Sequence, residues 1–259
     1  MADPINVTTD GPVARITLNR PDVHNAFDEE SIHALTGAFT ALGQEPAIRA
    51  IVLTGEGRSF CAGADLNWMK HVARYSLEEN VADARHLQQM LAAMANCPKP
   101  TIARVHGIAR GGGTGLVAAC DIAIAAESVQ FAFSEVRLGL VPAVIAPFVL
   151  EKIGPGAARA LFVSGAAFPA AEAHRLGLIQ QVVPDAELDA AVDRTLEDVL
   201  AAGPQAVAML KRLLRRIEDK TPAEVAEDTV AALAAARVSP EGQEGIRAFL
   251  EKRRPNWTR

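Results

Sequence analysis

The feature that most restricts how this chain can fold is an alternation, running from residue 13 to residue 125, of short apolar strand-like runs with stretches of helical periodicity. Residues 13–18 (VARITL) alternate apolar with polar as a half-buried strand does, and Asn19-Arg20-Pro21-Asp22 supplies turn chemistry. Asp28 is a helix N-cap candidate, with Ile32, Leu35, Phe39 and Leu42 on one face of the helix that follows. Residues 48–54 then read as a buried strand ending in the loop Gly55-Glu56-Gly57-Arg58. A long helix is expected over 75–95, with Val81, Ala84, Leu87, Leu91 and Met94 at helical spacing, stopped by Pro98-Lys99-Pro100 before a strand at 101–105. A glycine-entered helix at 111–119 and a strand at 121–125 repeat the pattern. Strands that alternate with helices build a layered α/β sheet, because each strand needs a helix to cover it.

From Pro155 onward the alternation fades. Helices are expected over 157–163, 170–176, 188–202, 204–217, 222–236 and 241–250, with one strand at 179–183. The shift near residue 190 from an α/β pattern to an Ala-rich helical one divides the chain into a core, 1–190, and a helical C-terminal region, 191–259, suited to a cap or an oligomerisation layer.

The bulk numbers narrow the function. A net charge of −5 offers no general attraction to a phosphate backbone, which argues against nucleic acid as the main ligand. The three cysteines, Cys61, Cys97 and Cys120, cannot all pair and fit a reducing compartment. Residues 1–13 lack an apolar leader core, and apolar runs elsewhere are broken by Gly, Asp or Pro, so a cytoplasmic, membrane-free protein is expected. His33, His71, His86, His106 and His174 show no metal-ligand spacing, and no metal is expected.

Two glycine-rich segments carry the chemistry. Ser59-Phe60-Cys61-Ala62-Gly63-Ala64-Asp65-Leu66 follows a buried strand and puts small residues where a backbone can approach a ligand. His106-Gly107-Ile108-Ala109-Arg110-Gly111-Gly112-Gly113-Thr114-Gly115 follows another strand and opens a helix, whose first amides favour negative charge. Its spacing is neither that of a dinucleotide fingerprint nor that of a phosphate loop. Two backbone donors delivered from two strand ends are what a developing oxyanion needs.

These segments, together with Asn19-Arg20-Pro21, Asn25-Ala26, Cys120-Asp121-Ile122, Phe131 to Glu135 and Leu138-Gly139-Leu140-Val141-Pro142, resemble the enoyl-CoA hydratase/isomerase (crotonase) family. The motifs occur in that family's order and span all but the last helices. The resemblance implies a crotonase-like α/β spiral of ββα units, a helical C-terminal trimerisation region, and trimers usually paired into hexamers. It also implies an acyl-CoA substrate, with coenzyme A as part of that substrate and no separate cofactor. Carried over by position, the oxyanion amides fall on Ala64 and Gly112, and the catalytic carboxylate on Glu135. Ala62, Asp65 and Leu66 fall where the adenine end docks and His24 near the CoA phosphates, while Lys252 or Arg253 would reach a 3′-phosphate.

The chain departs from the family's two-glutamate pattern, G-G-G-x-E, by carrying Gly115 at the first glutamate. Two carboxylates around one water explain hydration, whereas one carboxylate suffices to shuttle a proton between two carbons. Hydratase, delta-isomerase and a non-catalytic CoA-thioester-binding subunit are therefore all open. Residues 63–70 and 138–143 resemble bacterial 3-methylglutaconyl-CoA hydratases, which favours hydration of a branched acyl group. The acyl pocket would then be walled by Trp68, Met69, Arg110 and Gly115, with Arg110, Lys70, His71 or Arg74 holding a distal carboxylate.

Overall fold

A computed structural model describes residues 3–258. The strands are β1 (Ile5–Asp10), β2 (Val13–Leu18), β3 (Ala50–Gly55), β4 (Thr101–Val105), β5 (Ile108–Arg110), β6 (Ile122–Ala126), β7 (Gln130–Ala132), β8 (Ala167–Pro169) and β9 (Gln181–Val183). The helices are α1 (Glu29–Gln44), α2 (Leu66–Val72), α3 (Leu77–Ala95), α4 (Gly112–Ala119), α5 (Ala146–Ser164), α6 (Ala170–Leu176), α7 (Leu188–Ala201), α8 (Pro204–Ile217), α9 (Ala226–Val238) and α10 (Pro240–Leu250).

A six-stranded sheet runs in the order β1-β2-β3-β4-β6-β9, antiparallel only at β1/β2. β2 alternates buried and half-buried residues, as its sequence pattern requires, while β3 is buried at every position and lies between two parallel neighbours. A smaller sheet, β5-β7-β8, stands beside it. Its three strands are three residues each, too short to leave a periodic signature, and the sequence reading passes over all of them. β1 and α2 were likewise unforeseen.

The helix ends follow local chemistry. The Asp28 side chain accepts from Ser31 N–H at the start of α1, and Ser76 with Glu79 forms a capping box on α3. The Ser76 cap sets α3 two residues inside the expected start. α5 begins well before the helix expected at 157–163. It is interrupted at Gly154, whose φ of 71° is left-handed, and the following Pro155 cannot continue the ladder, so only its second half has a clean helical pattern.

α7 sends Leu188, Ala191, Val192 and Leu196 into the same apolar core as the large sheet. The helices that contribute almost nothing to that core are α8, α9 and α10. Arg49, at the start of β3, ties the chain's end to this body. Its Nη1 donates to Trp257 O at 2.5 Å, and its Nη2 to Leu200 O at 2.9 Å and Ala202 O at 2.6 Å. Burial pulls this guanidinium below its ordinary pKa, and Glu241 pulls it partly back. Arg49→Ala strips three carbonyls of their donor and should cost about 2–3 kcal/mol in urea unfolding; an unchanged midpoint would show that these bonds do not hold the C-terminus down. Among the described residues no helix is long and apolar enough to cross a membrane.

Candidate active site

The two glycine-rich segments lie side by side. Cys61 and Ala109 form a parallel bridge, with Cys61 N–H donating to Ile108 O at 3.1 Å and Arg110 N–H to Cys61 O at 3.0 Å. Gly63, at φ 94°, presses against this seam. A Cβ there would lie 2.7 Å from Arg110 O and 3.7 Å from Gly112 N, so the loop carrying Ala64 reaches the start of α4. Phe27 fixes the other side of that loop, donating to Gly63 O at 2.8 Å and accepting from Asp65 N–H at 2.9 Å. Its ring seats under Gly112, where an added Cβ would meet Cζ at 2.4 Å. Of the amides in this arrangement, Ala64 N–H and Gly112 N–H find no backbone acceptor among the described residues. Gly112 is also the first residue of α4, so the helix dipole adds to its donor strength.

Glu135 comes from the other sheet. Gly111 N–H donates to Ala132 O at 2.8 Å, and Thr114 Oγ1, fully buried, donates to Ala109 O at 2.8 Å and Ala132 O at 3.1 Å. These bonds pin β7 to the glycine turn, and the chain then enters a short 3-10 helix, Glu135–Leu138, ended by Gly139 at φ 73°. The Glu135 carboxylate thereby lands beside Gly111, with Oε1 3.2 Å from where a Cβ of that glycine would be. Its Oε2 is buried without a hydrogen-bond partner. Burial pushes this carboxyl above the ordinary glutamate range, its own backbone amide drawing it partly back, a direction that favours proton exchange.

The sequence of the described residues and beyond, 8–259, matches the profile of the family "Enoyl-CoA hydratase/isomerase". The chain belongs to this family. A crotonyl-CoA hydratase of Syntrophomonas wolfei is 32% identical over 95% of this chain and 94% of that protein. Among solved structures, an enoyl-CoA hydratase from Shewanella pealeana is 40% identical with a TM-score of 0.95, covering 98% of this chain and 96% of that one. An enoyl-CoA hydratase/isomerase from Marinobacter aquaeolei is 36% identical with a TM-score of 0.94, and the match covers both chains in full (100% of each). The crotonase fold implied by the motifs is therefore the fold of this chain, helical C-terminal region included.

Within this family frame the other candidates separate by geometry. His24, left-handed at φ 55°, holds Ser59 Oγ through Nδ1 at 3.0 Å, and its carbonyl accepts from Ala62 N–H at 3.0 Å, so 24 and 62 are held together. Leu66 is exposed, as a ligand-facing residue would be. Asp65 behaves differently from the ligand contact expected of it. Its carboxylate is buried, pairs with Arg20 Nη2 at 3.0 Å, and caps α2 by accepting from Asn67 N–H at 2.7 Å and Trp68 N–H at 3.2 Å. Its backbone is engaged as well, N–H donating to Phe27 O at 2.9 Å and O accepting from Met69 N–H at 2.8 Å. Arg253 is also engaged, through Nη1 and Nη2 on Glu244 at 2.6 and 2.9 Å and Nε on Glu251 at 2.7 Å, while Lys252 is exposed. Of the two, Lys252 is the one available to an anion.

Trp68 and Met69 are half-buried on α2, and Trp68 lies 6.1 Å, centroid to centroid, from Phe27 under the glycine turn. Arg110, Lys70, His71 and Arg74 are exposed. Cys61, at the seam, is fully buried with its thiol pushed up to about 12, so it packs and does not attack.

Three residues have contacts at the site that the sequence did not foretell. Arg20, named in the sequence only within the Asn19-Arg20-Pro21 motif, pairs with Asp28 at 2.9 Å as well as with Asp65, and Phe27 spans the two donor loops; neither role bears a signal without the tertiary contact. The third, Ile145, occupies the space in front of Gly115, where a Cβ would meet Ile145 Cγ2 at 2.3 Å. Position 115 thus lacks room for any side chain, let alone a glutamate. Gly115→Glu should overpack this spot and cost about 1–3 kcal/mol, and Ile145→Ala in the same chain should recover part of it. Additive urea midpoints in the double-mutant cycle would refute the contact.

Proposed function

We propose that this chain hydrates 2-enoyl-CoA thioesters, with the thioester carbonyl held between Ala64 N–H and Gly112 N–H. The observation that carries the reading is that two amides without a backbone acceptor, Ala64 N–H and Gly112 N–H, stand on adjoining loops, with the unpartnered Oε2 of Glu135 buried beside the same glycine turn. The amides stabilise the negative charge that builds on the thioester oxygen as the β-carbon is attacked, an effect worth about 3 kcal/mol per donor. Glu135 accepts a proton from the water whose oxygen bonds to C3, and returns it to C2 as the enolate collapses. One carboxylate then serves both halves of a syn addition, which compensates for Gly115. CoA is the handle of the substrate, and no other cofactor enters. His24, Ala62, Leu66 and Lys252 lie on the CoA side of this reading, and Trp68, Met69 and Arg110 on the acyl side.

The acyl group we assign is branched and carries a distal carboxylate, as in 3-methylglutaconyl-CoA. The exposed cations Arg110, Lys70, His71 and Arg74 are available to pair with it. A hydrophobic hollow of about 300 Å³, lined by Val136, Val141, Pro142, Ala143, Ala146, Phe162 and Val163, opens directly after Glu135 and would accept apolar atoms from an acyl chain or from another copy. Copies of this chain would also cover the exposed apolar residues of α8–α10, among them Leu214, Leu233 and Phe249, giving a trimer or a hexamer, which sedimentation velocity distinguishes.

Delta-isomerisation is the second reading, favoured by one specific observation: Ile145 fills the place of a second carboxylate, leaving Glu135 as a lone proton carrier. Crotonyl-CoA, 3-methylglutaconyl-CoA and a 3-enoyl-CoA separate the two. Hydration gives loss of the conjugated thioester absorbance and a mass gain of one water on the conjugated substrates. Appearance of that absorbance from the 3-enoyl substrate at constant mass would replace hydratase by isomerase.

A further inference from the structure

The packing of α1 on α3 gathers a second set of chemically active side chains, on the far side of Trp68 from the glycine turn. Glu29 and His33 lie one turn apart on α1, and His86 faces them from α3. One ligand atom from each of the three residues lies within 4.8 Å of the other two. Glu29 Oε1 is 3.9 Å from His33 Nε2, and the two imidazole centroids are 4.9 Å apart with their planes inclined at 55°. No histidine pair on a single helix has this spacing, which is why the sequence alone pointed away from a metal.

We propose that Glu29, His33 and His86 form a site for a borderline divalent cation of the Zn²⁺ class, clamping α1 to α3. Two imidazoles and a carboxylate are a donor set that such ions prefer, and three protein ligands leave a fourth position for water. Two neighbouring imidazoles repel when both are protonated, whereas a shared cation turns their proximity into binding. Asp83, one turn before His86, adds negative charge and extends the site inward. Its Oδ1 accepts from Trp68 Nε1 at 3.3 Å, and Trp68 packs on Phe27. The cation would therefore stiffen the support of α2 and of Phe27, without touching the acyl-CoA cleft.

The test is isothermal titration of Zn²⁺ into chelator-treated, tag-free full-length protein, compared with His33→Ala, His86→Ala and the distant control His174→Ala, each checked for native circular dichroism. The expected result is one ion per chain in the micromolar range for the wild type and the control, weakened about tenfold or more in both site variants. No stoichiometric binding, or affinity unchanged in either His33→Ala or His86→Ala, overturns the assignment. Since the readout is binding of the metal alone, its outcome is independent of the reaction the cleft performs.

Discussion

Glu135→Gln should lower kcat by about 10²–10⁴-fold while leaving the affinity for a CoA thioester nearly unchanged. Glutamine keeps the shape beside Gly111 and leaves the Ala64 and Gly112 amides in place, so the loss isolates proton transfer from carbonyl binding. Turnover at wild-type rate would remove Glu135 from the mechanism. The same variant carries a stability signature of opposite sign. Burial raises the Glu135 pKa in the folded state, so between its ordinary value and its raised value the native protein holds more protons than the unfolded chain. Stability then falls as pH rises through that window, and the charged carboxylate is a full burden above it. Glutamine has no such charge. The variant should therefore match the wild type in acid, below the ordinary glutamate pKa, and exceed its Tm at neutral and higher pH, the pattern expected where activity and stability compete. Equal Tm values across the range would mean that the carboxylate is solvated in the native protein.

Arg20→Ala should be the most damaging single change to the scaffold, at about 3 kcal/mol, or roughly 6–12 °C in Tm for a chain of this size. Arg20 supplies the positive charge for Asp65, whose side chain is only 5% exposed, and for Asp28, and its Nη1 donates to Ala26 O at 2.5 Å. Without it, a buried carboxylate remains unpaired next to the Ala64 amide. Asp65 is held on both flanks, by Arg20 and by the start of α2, so its displacement moves the amide with it. A fall in kcat/KM should accompany the fall in Tm. Arg20→Lys restores charge but not the fork that spans two carboxylates and a carbonyl, and should recover stability only in part. Urea unfolding of the three proteins provides the check, and a wild-type midpoint for Arg20→Ala would show the pairs to be solvent-screened.

Much of this was readable in the linear chain because the physics is local. The β2 alternation, the Asp28 cap, the stop at Pro98-Lys99-Pro100 and the glycine turn each depend on neighbours within a few residues. The two donor segments were legible for the same reason, since small residues after a strand leave amides free wherever the strand ends. The β5-β7-β8 sheet was not, because three-residue strands have no period and exist only through their partners. Asp65 shows the same limit in a single residue. Its motif placed it at the CoA edge, while the fold turned its carboxylate inward onto Arg20, a partner 45 positions away.

By itself the sequence determined the α/β class and the family, and it singled out Ala64, Gly112 and Glu135 as candidates, since propensity, caps and motif order are properties of short segments. Tertiary structure alone decided which groups meet. It closed Gly115 with Ile145, left Glu135 Oε2 without a partner, bound Arg253 to Glu244, and brought His33 to His86. Contacts of this kind join residues from separate elements, and their geometry is set by how helices and sheets pack, which no local pattern encodes.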